Sequence, residues 1–83
     1  MEYYLILARS VTYAQRMQRA MTGAGIRCQM FRAPRDLSES GCGYALKLGL
    51  SDLAGALNVI YGAGLGPVRV FGYQNGTYRE VGL

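Results

Sequence analysis

The stretch YYLILARSVTYAQRMQRAMTGAG, Tyr3 to Gly25, decides the fold, because it changes from a strand pattern to a helix pattern within a few residues. Its first part, YYLILA, is apolar throughout, which is typical of a strand covered on at least one face. Ser10 or Thr12 can cap the helix that follows, and Gly23 with Gly25 can end it. The apolar side chains of this helix recur at helical spacing, at Ala14, Met17, Met21 and Ala24, with Tyr13 and Ala20 widening the stripe.

Two further strands are predicted after this helix. IRCQMFRA, residues 26–33, alternates between apolar and polar side chains, which predicts a half-buried strand with Cys28 on its apolar face. CGYALKLGL, residues 42–50, is the next apolar strand, and the polar loop 34–41 joins the two as a hairpin.

The last third of the chain predicts a helix and then a hairpin. SDLAGALNVIYGAG, residues 51–64, is apolar at helical spacing, with Ser51 as the predicted N-cap. VRVFGYQNGTYREV, residues 68–81, turns at Asn75-Gly76, the strongest short-range signal for a type I′ turn. The glycines at 62, 64 and 66 follow a helix instead of opening one, so we interpret them as a helix stop and not as a phosphate loop.

The element order is therefore β-α-β-β-α-β, with the last strand turned back on itself. This order predicts an α+β fold, a ferredoxin-like sandwich with a C-terminal β-hairpin and an antiparallel sheet that carries two helices on one face. Because the chain has 83 residues, we expect a single domain over residues 1–83. A core of this size is only marginally stabilising, which is compatible with a homodimer.

Composition limits the class of protein and its partners. With 51% hydrophobic and 17% charged residues, the chain is globular and not disordered. The net charge of +4 comes almost wholly from scattered arginines, so nucleic acid is disfavoured as the main partner. MEYYLILARS lacks the basic region of a signal peptide and is too short to span a bilayer, so we expect a cytoplasmic protein with no membrane partner. Two cysteines and no histidine cannot form a zinc site in one chain, so no metal is expected.

The two cysteines are predicted to lie apart. If position 33 lies opposite position 42 and position 28 opposite about position 47, Cys28 and Cys42 are separated by about 16 Å along the hairpin. A disulfide needs Cα atoms within about 7 Å, so this arrangement excludes an intramolecular bridge. Cys28 alternates with apolar neighbours and is interpreted as a small buried hydrophobe.

Cys42 is the candidate reactive thiol. It is flanked by Gly41 and Gly43, which have no Cβ and let a partner approach the sulfur closely. A thiolate or persulfide there could be stabilised by Arg35, by loop N–H groups, and by the hydroxyls of Ser38 and Ser40. The alternative stays equally open: a loop cysteine without a role, between glycines that serve the turn.

A family resemblance is carried by the opening β-α segment and by FRAPRDLSESGCGYALKL, with its succession of Pro34, Arg35, Leu37, Ser38, Cys42 and Gly43. Over about its first 60 residues the chain resembles a family of small bacterial domains described as selenium/sulfur carrier-like, which also occur beside TusA-type sulfur carriers. The resemblance implies that Cys42 holds sulfur or selenium as a persulfide or selenopersulfide and hands it on. The terminal hairpin extends beyond the family's shortest members.

Three functions follow as hypotheses. The first is a cytoplasmic sulfur or selenium carrier, a co-substrate more than a turnover enzyme, with donor and acceptor proteins as partners and no cofactor besides the carried atom. The second is a ferredoxin-like regulatory or small-anion-binding dimerisation module near Arg35, with no thiol chemistry. The third, nucleic-acid binding on the open sheet face, has Tyr44 and Phe71 as candidate stacking residues but lacks the aromatic-basic consensus.

Overall fold

The computed structural model describes residues 1–37 and 43–82. Within these residues it confirms a mixed α+β fold with two α-helices and five strands. In chain order the elements are β1 (Tyr3–Ala8), α1 (Val11–Gly23), β2 (Gln29–Arg32), β3 (Tyr44–Leu48), a short 3₁₀ turn (Leu50–Asp52), α2 (Leu53–Gly62), β4 (Arg69–Gln74) and β5 (Thr77–Val81).

All five strands form one sheet in the order β2-β3-β1-β4-β5, and every neighbouring pair is antiparallel. β1 lies in the middle, where Leu5 is level with Lys47 of β3 on one side and Phe71 of β4 on the other. Since both edges of β1 are paired, its backbone groups are satisfied inside the sheet, which suits its apolar sequence.

The main core lies on one face of the sheet. Ile6 of β1 and Leu46 of β3 are fully buried there. The helices contribute their predicted stripes, and the buried members are Ala14, Met17 and Met21 of α1 with Ala56 and Ile60 of α2. The hydrophobic pattern therefore predicted these buried residues correctly, but the prediction of Ala24 as part of the α1 stripe is wrong, because Ala24 is the C-cap and is exposed.

The predicted register of the β2–β3 hairpin is wrong by one residue. Arg32 pairs with Tyr44, and the N–H of Ala33 donates to the carbonyl of Gly43 at 3.1 Å, so position 33 lies opposite 43 and not 42. The physical reason is that residues directly opposite in an antiparallel pair share a face. In the observed register Met30 lies opposite Leu46, and both contact the main core.

The two helices begin differently from one another. The Ser10 hydroxyl accepts a hydrogen bond from the N–H of Tyr13 at 3.2 Å, so Ser10 and not Thr12 caps α1. The prediction of Ser51 as the cap of α2 is wrong, because the N-cap there is Asp52. The chain turns at once after β3, with the N–H of Asp52 bonded to the carbonyl of Gly49, and this 3₁₀ turn takes up Ser51.

The C-terminal hairpin is confirmed. Asn75 and Gly76 join β4 to β5 with φ values of 52° and 76°, as a type I′ turn requires.

Among the described residues, no helix is long and apolar enough to cross a membrane.

Candidate functional site

Most of the predicted site lies outside the described residues. Ser38, Ser40, Gly41 and Cys42 belong to the segment 38–42, and only Arg35 and Gly43 of the predicted set can be placed. The site is therefore built from the two residues that bracket this segment, Leu37 before it and Gly43 after it.

Leu37 is fixed by a turn and by burial. Its N–H donates to the carbonyl of Pro34 at 3.0 Å, which closes the turn 34–37. Its side chain is 8% exposed and belongs to a second apolar cluster, on the sheet face away from the helices, with Leu5 and Phe71. The chain is thus anchored where it enters the segment 38–42.

Gly43 is fixed by the sheet. It precedes β3, and its carbonyl accepts the N–H of Ala33 just beyond the last pair of the β2–β3 ladder. The segment between Leu37 and Gly43 therefore starts and finishes at two anchored points.

Leu37 and Gly43 both line one cavity of about 310 Å³, which we name the Arg9 cavity. Its polar lining comes from Arg9, Tyr13 and Arg69. Its apolar wall is formed by Leu7, Ala8, Met17, Leu65, Pro67 and Val68. A mostly apolar hollow with a few charged groups at its edge is the usual form of a small-ligand site.

The residues around this cavity come together because the sheet places the end of β1 beside the start of β4. Arg9 directly follows β1, and Arg69 opens β4 opposite Leu7. Leu65 is directed into the wall by the end of α2, where Gly64 has a φ of 72° and the N–H of Leu65 bonds to the carbonyl of Ile60. The glycine-rich segment is thus a helix stop, as predicted.

The two guanidinium groups are held in different ways. Arg9 lies with its Cζ 4.2 Å from the ring centroid of Tyr13, a cation–π contact. Arg69 donates from Nε and Nη2 to both carboxylate oxygens of Glu80 at 2.9 and 3.0 Å. This hydrogen bonding lowers the pKa of the Glu80 carboxyl. Arg69 therefore forms an ion pair with Glu80, whereas no carboxylate among the described residues pairs with Arg9.

Arg35 is exposed on the turn 34–37 and does not line the Arg9 cavity. Sequence reasoning missed Arg9 and Arg69 as candidate site residues. A signal was present, because each lies at the end of a predicted strand, but they meet only when β1 and β4 are known to pair.

The comparison with known families agrees with the sequence resemblance. Residues 3–71 match the profile of the family described as "Putative Se/S carrier protein-like". The chain belongs to this family. The match includes Pro34 to Gly43 and ends inside β4, so β5 lies beyond it. No curated protein and no solved structure matches the chain.

The second cysteine of this Se/S carrier-like chain, Cys28, does not line the Arg9 cavity. Cys28 is half-buried against the main core, and burial raises the pKa of its thiol above the ordinary 9.0. Because Cys28 is five residues before Ala33, it lies about 16 Å along the ladder from the level of Gly43. It lines a second hollow of about 620 Å³ with Arg27, Lys47 and Asp52.

No group of acids, cysteines or histidines suited to a metal occurs among the described residues.

The two residues proposed for stacking on nucleic-acid bases do not form a platform. Phe71 is 6% exposed, on the face away from the helices, while Tyr44 contacts the main core. On the face away from the helices, Tyr3 instead stacks on Tyr73 at 4.7 Å and its hydroxyl lies 2.9 Å from that of Tyr78. Burial and this hydrogen bond raise the pKa of Tyr3 to about 12. These rings pack mainly on each other.

Proposed function

We propose that this chain is a cytoplasmic carrier of sulfur or selenium that accepts one atom on the Cys42 thiolate and hands it to a second protein. The observation that carries the proposal is the family match over residues 3–71, which includes the Pro-Arg and Cys-Gly succession. The donor and acceptor proteins are its expected partners, and the carried atom is its only added group.

The chemistry is an exchange between sulfur atoms with no net oxidation. The Cys42 thiolate attacks the outer atom of a donor persulfide or selenopersulfide, the donor's S–S or S–Se bond breaks, and the donor leaves as a thiolate. Cys42 then holds the outer atom through a new S–S or S–Se bond. An acceptor nucleophile later attacks that outer atom, and the Cys42 thiolate is released.

Two features of the described residues support this role. Gly43, which is bonded to Cys42, lines the Arg9 cavity together with Leu37, so both ends of the cysteine segment meet the same hollow. The guanidinium of Arg9 at this cavity would favour an anionic sulfur over a neutral thiol. Arg35, on the exposed turn, is the second candidate for that effect.

Cys28 is a poor competitor for the same chemistry. Burial raises the pKa of its thiol, so less of it is thiolate at neutral pH than in an ordinary cysteine. The Cys28→Ser variant is therefore a matched control for Cys42→Ser.

Intact mass after incubation with a persulfide donor tests the proposal. The native protein and Cys28→Ser should gain about 32 Da with sulfur or about 80 Da with selenium, and Cys42→Ser should gain neither. An adduct on Cys28, or none at all, would remove the carrier role.

The alternative, a regulatory module that binds a small anion and forms a dimer, is favoured by one observation. The Arg9 cavity has the form of a ligand site without any contribution from a thiol. If Cys42→Ser keeps full activity in the cell while Arg9→Gln loses it, this second function replaces the first.

We also propose that residues 1–83 form one ferredoxin-like domain. The strand order β2-β3-β1-β4, with α1 following β1 and α2 following β3, supports this class, and β5 adds an edge strand to it.

A further inference from the structure

The Arg9 cavity has the size of a small molecule. Its volume of about 310 Å³ corresponds to about ten water molecules at their share of liquid volume. A protein partner could present a cysteine on a loop without needing such a hollow. The cavity therefore points to a compound that enters it.

The walls of the cavity indicate what that compound contains. Leu65 is 5% exposed and Met17 is 2% exposed, so this wall belongs to the packed interior and would keep its shape. Pro67 and Val68 complete an apolar lining suited to aliphatic or aromatic carbon. An apolar body of several carbons fits such a surface.

The positive charge of Arg9 at the cavity indicates the second chemical group of the compound. The Arg9 Cζ lies 4.2 Å from the ring centroid of Tyr13, and no carboxylate among the described residues pairs with the Arg9 guanidinium. A carboxylate on an organic compound is an acceptor that can take two parallel hydrogen bonds from such a guanidinium. Arg69 already donates to Glu80, so Arg9 is the group assigned to the ligand.

We propose that the Arg9 cavity binds a small organic thiol compound with an apolar body and a carboxylate, as the direct donor or acceptor of the carried atom. This inference rests on the proposed carrier function and names its substrate class. The compound's carboxylate meets Arg9, its carbon body lies on Leu65 and Val68, and its sulfur is directed toward Gly43. As donor, the compound arrives as a persulfide or selenopersulfide and leaves as a thiolate.

The test separates binding from transfer. 3-Phenylpropionate serves as the probe, because it has the carboxylate and the apolar body but no sulfur, and 3-phenylpropanol is its uncharged match. Titrations are followed by amide NMR shifts of Gly43, Leu65 and Val68 in the native protein and in Cys42→Ser. A ligand of about eleven non-hydrogen atoms should bind with a dissociation constant in the millimolar to high micromolar range.

Three variants test whether Arg9 recognises the carboxylate and whether the ligand lies in the cavity. Arg9→Gln should weaken 3-phenylpropionate at least about fivefold and leave 3-phenylpropanol unchanged, as expected for a charge-assisted hydrogen bond. Arg16→Gln, on the exposed part of α1, is the matched arginine control and should change neither. Val68→Phe should weaken both ligands, because the larger ring occupies the cavity, and its thermal unfolding checks that it folds.

The outcomes distinguish the two proposals. Binding that persists in Cys42→Ser and needs Arg9 supports the cavity assignment. No saturable shift in the native protein, or equal binding of the acid and the alcohol, overturns it. If mass adducts form on Cys42 although the probe does not bind, the small-molecule donor is wrong and the carrier role survives. If the probe binds but Cys42 never gains mass, the carrier role fails and so does the ligand's role as donor or acceptor, and only the binding of a carboxylate in the Arg9 cavity survives.

Discussion

Leu37 anchors the entry to the cysteine segment, and its truncation gives the sharpest stability prediction. Leu37 is 8% exposed and belongs to one apolar cluster with Leu5 and Phe71. Because Leu37→Ala removes three of the four side-chain carbons, it removes about 2 kcal/mol of transfer free energy. The space left behind adds to this cost, and we expect a loss of about 2 to 3 kcal/mol in the free energy of unfolding. For a domain of this size that corresponds to a decrease in Tm of about 10 to 20 °C.

The control is a leucine of the same chain that is not buried. Leu50 is 46% exposed, so Leu50→Ala should change the free energy of unfolding by less than about 0.5 kcal/mol. Urea titration and thermal unfolding of both variants, followed by circular dichroism, measure the difference. Equal losses in the two variants would refute the conclusion that Leu37 holds the turn 34–37 against the sheet.

Three other predictions concern the hairpin and two titrating groups. Gly76→Ala should cost about 1 kcal/mol by urea titration, because its φ of 76° is disfavoured for a residue with a Cβ, whereas Gly62→Ala, in α2 with open space around it, should be neutral or stabilising. Stability should fall as the pH rises from 10 through about 12, where folded Tyr3 ionises, and phenolate absorbance should show that Tyr3→Phe lacks this late step. In Cys42→Ser, iodoacetamide should label Cys28 slowly at pH 7 and faster only above pH 9; fast labelling at pH 7 would contradict the effect of burial on its pKa.

Most helices, strands and turns of this fold could be predicted because each depends on residues that are close together in the sequence. Met17 and Met21 recur at helical spacing and are buried, and Asn75-Gly76 makes the turn that its residue types favour. The register of β2 against β3 could not be predicted from the loop alone. A loop that is one residue longer or shorter has nearly the same amino-acid composition. The register could have been found by requiring Met30 and Leu46 to share a face.

The Arg9 cavity could not be predicted in the same way. Arg9 and Arg69 are distant in the chain and meet only because β4 pairs with β1, which is a property of the sheet and not of either segment. The cysteine, by contrast, stood out in the sequence through its glycine neighbours and its family motif. A local signal thus indicated the candidate reactive cysteine, whereas the Arg9 cavity follows from the topology of the sheet.

The most direct measurement of the central claim is a two-step transfer followed by intact mass. Cys28→Ser is loaded with a persulfide donor, separated from it, and mixed with a small acceptor thiol. We predict that the loaded protein loses about 32 Da while the acceptor gains it, so that Cys42 returns to a free thiolate ready for another cycle. A protein that never gains the mass, or that keeps it indefinitely in the presence of the acceptor, would contradict the carrier function.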